Sequence, residues 1–77
     1  MYQIRLYENG RYVSDIGGPI RGLSEAVKQI QAMTDGITRD ELPNFVGCKW
    51  IRGGMDCCLV VVNELGIPVA SKNTENQ

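Results

Sequence analysis

The feature that most constrains this chain is the apolar run at residues 55–63, Met-Asp-Cys-Cys-Leu-Val-Val-Val-Asn. It is too short to span a membrane, and its β-branched residues favour a strand over a helix. Turn signals bracket it, Gly53-Gly54 before it and Gly66 after it. Because alternate side chains of a strand face opposite ways, this strand presents apolar groups on both of its faces. It is therefore predicted to run through the middle of a sheet that needs a cover on each side.

A β-hairpin is predicted near the start of the sequence. Asn9-Gly10 is the strongest two-residue hairpin signal, and the residues on either side of it alternate as strands. A type I′ turn at this pair places Tyr7 opposite Tyr12 and Leu6 opposite Val13. The face expected to be buried carries Ile4, Leu6 and Val13.

One amphipathic helix is predicted between Ser24, the expected N-cap, and Gly36, which suits a C-terminal stop. Apolar residues fall at helical spacing along one side of this segment and polar residues along the other. Residues 38–41 are expected to form a single helical turn or an ordered loop. The remaining predicted strands cover residues 45–52, 55–63 and 67–71. The last of them is expected at a sheet edge, because Pro68 lacks a backbone donor.

These elements predict one α+β domain with the order ββαβββ, an antiparallel sheet with one helix packed on one face. The domain is expected to cover residues 1–71, followed by a flexible polar tail over residues 72–77. A chain of 77 residues has room for one domain, and 43% hydrophobic with 22% charged residues is ordinary for a folded protein. The single helix can cover one face of the sheet, so the other face is left for a partner.

The charge and the cysteines narrow the class of protein. A formal net charge of −1 argues against a strongly basic nucleic-acid binder and against an acidic imitation of DNA. The first residues lack the charged and apolar regions of a secretory signal. Three cysteines are an odd number without the spacing of a disulfide framework, so reduced thiols and a cytoplasmic location are expected.

The sequence contains no catalytic motif, and we expect a protein that is not an enzyme. Histidine is absent, which removes the commonest general base near neutral pH and the commonest metal ligand. Cys57 and Cys58 are neighbours on a strand, so their side chains diverge, and neither a bridge nor shared metal binding is favoured. Cys48 and Cys57 are expected to be buried, whereas Cys58 lies on the other face. No cofactor or metal site is predicted.

The most informative group of residues lies on the sheet face that the helix leaves uncovered. It combines aromatic, aliphatic and cationic side chains, a composition found in protein interfaces. Binding is expected to use this face and the Asn9-Gly10 and Gly53-Gly54 turns. The predicted partner-binding residues are Arg5, Tyr7, Arg11, Tyr12, Lys49, Ile51, Arg52, Val60 and Val62. Two simpler explanations stay open: Tyr7 and Tyr12 pair only to stabilise the hairpin, or the face binds a second copy of the chain.

The layout of the chain resembles that of small phage-encoded anti-CRISPR proteins that inhibit type I systems. The resembling pieces are the Ile4-Arg5-Leu6-Tyr7-Glu8-Asn9-Gly10 strand and turn, the Leu23-Ser24-Glu25-Ala26 helix start and the strands between residues 45 and 69. The resemblance implies an inhibitor that docks stoichiometrically on a Cas protein or surveillance complex and blocks the access of nucleic acid. That group shares no common motif, so the resemblance assigns no residue to a function.

The sequence therefore supports three hypotheses of function. The first is a small cytoplasmic interaction protein, encoded by a phage and of the anti-CRISPR kind, that masks a surface of a larger protein. The second is a single-stranded nucleic-acid-binding module, in which bases stack on Tyr7 and Tyr12 beside Arg5 and Lys49. The third is a small homodimeric structural protein whose sheet faces pack together.

Overall fold

The central strand of the sheet is the apolar run near the end of the sequence, as predicted. A computed structural model describes residues 1–71, and its elements are β1 (Tyr2–Glu8), β2 (Arg11–Ile20), α1 (Leu23–Met33), β3 (Asp40–Glu41), β4 (Gly47–Arg52) and β5 (Met55–Val62). Neighbouring strands are antiparallel, and their order across the sheet is β2-β1-β5-β4-β3. The predicted α+β fold, with one helix packed on an antiparallel sheet, is confirmed. The tail predicted at residues 72–77 lies outside the described residues.

The first hairpin turns where the sequence predicts. Asn9 and Gly10 have φ angles of 52° and 79°, the positive pair of a type I′ turn, and Tyr7 faces Tyr12. The backbone N of Asn9 donates to Asp56 O at 2.8 Å, and Asn9 Oδ1 accepts from Asp56 N at 3.0 Å. The turn is therefore tied to the start of β5, a contact between distant parts of the chain that the sequence pattern does not reveal.

A β-bulge interrupts the hairpin one position beyond the tyrosine pair. Leu6 pairs with Ser14, so the predicted pairing of Leu6 with Val13 is wrong. The extra residue in β2 shifts the following positions of that strand by one. Val13 is consequently exposed instead of buried, and Ile16 lies opposite Ile4 on the core side of the sheet.

The helix lies where the sequence predicts, but without the predicted cap. The N-cap is Gly22, so Ser24 lies inside the first turn and its assignment as the N-cap is wrong. At the other end Thr34 is the C-cap, and its buried hydroxyl donates to Ile30 O at 2.7 Å. Gly36 follows in the terminating turn with a φ of 78°, a conformation that favours glycine.

Two short segments differ from the predicted strands. Asp40–Glu41 forms a two-residue edge strand paired with β4, where the sequence predicts a loop or a helical turn. Residues 67–71 form isolated bridges, Pro68 with Val62 at the end of β5 and Ala70 with Phe45 in the segment before β4. The backbone N of Val69 donates to Val61 O at 2.9 Å, and Val69 O accepts from Val46 N at 3.0 Å. The predicted edge strand at this segment is therefore wrong, since hydrogen bonds reach it from both sides.

The helix covers the sheet face on which strand alternation predicts an apolar surface. Cys48 pairs with Leu59 and Trp50 with Cys57 across β4 and β5, so these side chains share that face. Cys48 and Cys57 are buried, as predicted, and all three cysteines are free. The buried cluster consists of Ile4, Ile20, Ala26, Ile30, Cys48, Leu59 and Val61. The helix side of the sheet is therefore the core of the domain.

Candidate functional site

A row of side chains crosses the sheet on the face opposite the helix. Tyr12, Tyr7, Cys58, Lys49 and Asp40 are successive cross-strand partners from β2 to β3. Cross-strand partners share a face, so the register brings together side chains from all five strands. Three of the predicted partner-binding residues, Tyr7, Tyr12 and Lys49, belong to this row.

Four further predicted residues divide between the two faces. Arg5 and Ile51 lie on the same face as the row, one on each side of it. Strand alternation places Arg11 and Arg52 on the helix side of the sheet, beside the two turns, where both are exposed. The structure therefore brings Arg5 and Ile51 to the candidate surface and separates the other two arginines from it.

Val60 and Val62 point to the predicted face but are not available to a partner. Their exposed fractions are 8% and 1%, so the expectation of exposed aliphatic groups at these positions is wrong. The chain after β5 folds back against this end of the face, where Pro68 forms a bridge with Val62. In the reversing turn, Gly66 lies so near the Arg5 guanidinium that an added Cβ would be 3.2 Å from Arg5 Nη2. The protein itself thus covers one end of the face.

Asp15 engages Arg5 and Tyr12 within the molecule. Arg5 Nε lies 3.4 Å from Asp15 Oδ1, an ion pair without hydrogen-bond geometry, and the Tyr12 hydroxyl donates to the same oxygen at 3.0 Å. Arg5 Cζ lies 5.4 Å from the centre of the Tyr12 ring, within the range of a cation–π interaction. The hydrogen bond to Asp15 raises the pKa of Tyr12 above its ordinary value. These contacts hold the bulged β2 against β1.

An open groove of about 810 Å³ occupies the other part of the face. Its lining includes Tyr7, Lys49 and the nearly buried Val60, and exposed apolar side chains stand at its two ends. Phe45, which precedes β4, is 42% exposed, and Ile51, near the end of β4, is 73% exposed. The groove is therefore the part of this face on which large apolar groups meet solvent.

The predicted set omits three residues that line the groove, Phe45, Asp40 and Pro68. Alternation along residues 45–52 places Phe45 on the same face as Ile51, and this signal could have identified it. Asp40 gives no such signal, because a two-residue strand has no periodicity. The position of Pro68 depends on the hydrogen bonds of its neighbour Val69 to Val61 in β5 and to Val46 before β4, and Val46 lies far from it in the sequence.

The groove carries charges that have no ion-pair partner within residues 1–71. Lys49 forms no salt bridge there, and neither do the carboxylates of Asp40 and Asp56. Burial raises the pKa of the Cys58 thiol, and the nearby Lys49 offsets this only in part. The thiol is therefore protonated near neutral pH and lacks the thiolate character of a nucleophile. The charged groups of the groove are therefore Lys49, Asp40 and Asp56, and the Cys58 thiol adds no charge to them.

Within residues 1–71 no group of His, Cys, Asp or Glu could hold a metal ion. In this same part of the chain, no helix has the length and apolar character needed to cross a bilayer. Comparison with protein-family models, with curated proteins and with solved structures finds no match.

Proposed function

We propose that this chain is a small, non-catalytic interaction protein that binds a protein partner through the groove. The observation that carries the proposal is the pair of exposed apolar side chains, Phe45 and Ile51, at the ends of the groove. Along an antiparallel strand, the side chains on the solvated face of the sheet are normally polar, and Ile51 is an exception. A partner covering the pair would gain about 25 cal/mol for each Å² of apolar surface removed from water.

The chemistry of the groove suits a protein surface. Tyr7 and Phe45 supply aromatic area with few rotatable bonds, and Ile51 supplies an aliphatic anchor. Lys49 and Asp40 add charges of both signs beside them. Aromatic and aliphatic anchors with a charged surround are the usual composition of a binding hot spot and its rim.

A narrower form of the proposal makes the partner a Cas protein or surveillance complex and the chain a phage-encoded inhibitor that blocks nucleic-acid access. Its support is the resemblance of layout to anti-CRISPR proteins. In this form the protein acts in the cytoplasm of a host cell, where the three free cysteines would stay reduced.

Single-stranded nucleic acid is a poorer fit to this face. The rings of Tyr7 and Tyr12 meet edge to face, with centroids 6.1 Å apart and an interplanar angle of 68°, and Arg5 is ion-paired with Asp15. Two carboxylates accompany Lys49 in the groove, and they would repel phosphate groups. The aromatic and basic residues that base stacking requires are thus engaged with each other or offset by acidic groups.

Photo-crosslinking tests the proposal at single residues. A photoreactive amino acid in place of Phe45 or Ile51 is expected to capture one defined polypeptide, the same from both positions. Val27 on the helix and Leu65 in the turn after β5 are matched control positions, because both are exposed apolar residues away from the groove. We expect no product with that polypeptide from either control position.

The identity of the captured polypeptide decides the narrower form. Mass spectrometry that finds a Cas subunit supports the inhibitor, and any other host protein contradicts it. Equal capture from the groove and the control positions would contradict the groove as the binding surface. A salt-sensitive gel shift with a single-stranded oligonucleotide, without any captured polypeptide, would favour nucleic-acid binding instead.

A further inference from the structure

We infer that Asn9 is a deamidation site, and that its two hydrogen bonds to Asp56 control the rate at which it reacts. The side-chain amide is converted to an acid when the first hairpin turn opens. The inference does not depend on the proposed function, because it concerns the chemistry of the turn itself. The sequence at the turn, its exposure and its contacts with β5 each contribute to the argument.

The reaction uses the backbone nitrogen of the residue that follows the asparagine. Asparagine is one of the chemically labile residues of proteins. Gly10 N attacks Asn9 Cγ, so a C–N bond forms while the bond from Cγ to Nδ2 breaks. Nδ2 leaves as ammonia, after water has passed to it the proton that Gly10 N loses. Water then opens the resulting succinimide ring at either of its two carbonyls, giving aspartate or isoaspartate.

The sequence places a reactive asparagine at an exposed turn. Asn9 is the one asparagine of the 77 residues that a glycine follows. Because glycine has no side chain, nothing on residue 10 hinders the approach of its nitrogen to Cγ. Both residues are exposed, and Gly10 N donates no hydrogen bond within residues 1–71. Solvent can therefore take the proton from this nitrogen and hydrolyse the ring.

The folded turn opposes closure of the ring. Asn9 N donates to Asp56 O at 2.8 Å, and Asn9 Oδ1 accepts from Asp56 N at 3.0 Å. These two bonds turn the carboxamide towards β5. The φ of 52° at Asn9 is that of the type I′ turn. Ring closure requires the carboxamide to rotate towards Gly10 N and the Asn9 backbone to leave the turn conformation, so the bonds to Asp56 break first.

Asp56 holds the turn at a point where the pairing of β1 with β5 has ended. Glu8 with Cys57 is the last pair of these two strands, and Asp56 comes next towards the turn. Its N–H therefore bonds a side chain instead of the neighbouring strand. Each of the two bonds has modest net strength, and together they are expected to slow deamidation at least about tenfold relative to the unfolded chain.

Deamidation changes the charge at one end of the groove. Gly10 and Asp56 both line the groove, and the product carries a carboxylate where Asn9 has a neutral amide. Isoaspartate also lengthens the backbone by one atom, which does not fit the two-residue turn that pairs Tyr7 with Tyr12. The modification therefore adds negative charge beside Asp56 and, in its isoaspartate form, disrupts the hairpin.

Mass spectrometry of the aged full chain tests the inference. Trypsin cuts after Arg5 and Arg11, so a single peptide, residues 6–11, carries Asn9. The acid forms of this peptide differ in mass from the amide, and their growth with time gives the rate of deamidation. In the chain unfolded by guanidinium chloride, Asn9 is expected to react before every other asparagine. In the folded chain its rate is expected to be at least about tenfold lower.

Substitution of Asp56 tests the hydrogen bonds. Asp56→Pro removes the N–H that Asn9 Oδ1 accepts, and it is expected to raise the rate in the folded chain at least about threefold. Asp56→Asn is the matched control, because it keeps this N–H and removes the side-chain charge. It is expected to leave the rate at Asn9 unchanged. Circular dichroism checks that both variants are folded.

Hydrogen exchange of the wild type gives a second test that needs no variant. The Asp56 amide is protected by the same bond, so its exchange and the deamidation of Asn9 are expected to be slowed by similar factors relative to the unfolded chain. Asn9 reacting as fast in the folded chain as in the unfolded one would overturn the inference. A folded Asp56→Pro variant with the wild-type rate would do the same, as would a protected Asp56 amide with an unprotected Asn9.

Discussion

At the scale of the single residue, Gly47 is the position where the fold leaves least room. A Cβ added there would lie 2.0 Å from Leu59 O and 2.9 Å from Leu42 Cδ1. The first of these neighbours is backbone of the central strand, which cannot move aside without breaking the sheet. We therefore expect Gly47→Ala to lower the free energy of unfolding by about 2 kcal/mol or more, measured by urea denaturation.

Gly18→Ala is the matched control for this substitution. Gly18 also lies in a strand, its φ is not positive, and no heavy atom lies within 4 Å of an added Cβ. Its replacement is expected to change the free energy of unfolding by no more than about 0.5 kcal/mol. If the two variants lost equal stability, β4 would not approach β5 at Gly47 as closely as described.

At the scale of the element, the bulge in the first hairpin creates the Arg5, Tyr12 and Asp15 cluster. An uninterrupted register would place Ser14 opposite Arg5, and the extra residue at Val13 puts Asp15 there instead. Period-two alternation locates a strand and its faces but does not show an inserted residue. A bulge is a shift in how two strands pair, so the residues of β2 alone do not reveal it. The turn at residues 9–10 was therefore predictable, and the cluster was not.

This cluster predicts a pH dependence of the hairpin. The Tyr12 hydroxyl donates to Asp15, and this hydrogen bond, with burial and the Asp15 charge adding to it, raises the pKa of Tyr12. A group whose pKa is higher in the folded chain binds its proton more strongly there. Its contribution to stability is therefore present below the ordinary tyrosine pKa of about 10 and is lost as the pH rises through the raised value.

Absorbance titration of the tyrosines measures this shift. The chain has three tyrosines, so the titration of Tyr12 is the difference between the wild type and Tyr12→Phe. Asp15→Ala is expected to lower the pKa of Tyr12, because it removes both the hydrogen-bond acceptor and its negative charge. An unchanged titration in Asp15→Ala would show that the hydroxyl does not donate to Asp15 in solution.

At the scale of the whole molecule, the sequence predicts a central strand that is apolar on both faces and a single helix that can cover one of them. The apolar central strand and the single helix predict a sheet with one face covered, and the structure has that arrangement. The sequence does not show that residues 63–70 close one end of the other face and bury Val60 and Val62. That closure depends on hydrogen bonds of Val69 to Val61 in β5 and to Val46 before β4, and the pairing with the distant Val46 leaves no local pattern. The part of that sheet face that forms the groove stays open to solvent.

The same closure makes Val69 essential to a segment without regular secondary structure. Its side chain packs against the buried cluster, and its backbone joins Val61 to Val46. Val69→Asp would place an unpaired carboxylate against that cluster, so we expect a loss of about 3 kcal/mol in the free energy of unfolding, measured in urea. Leu65→Asp, four residues earlier and almost fully exposed, is expected to lose no more than about 0.5 kcal/mol. Similar stabilities for the two variants would mean that residues 67–71 do not complete the sheet, and Val62 would then be open to a partner.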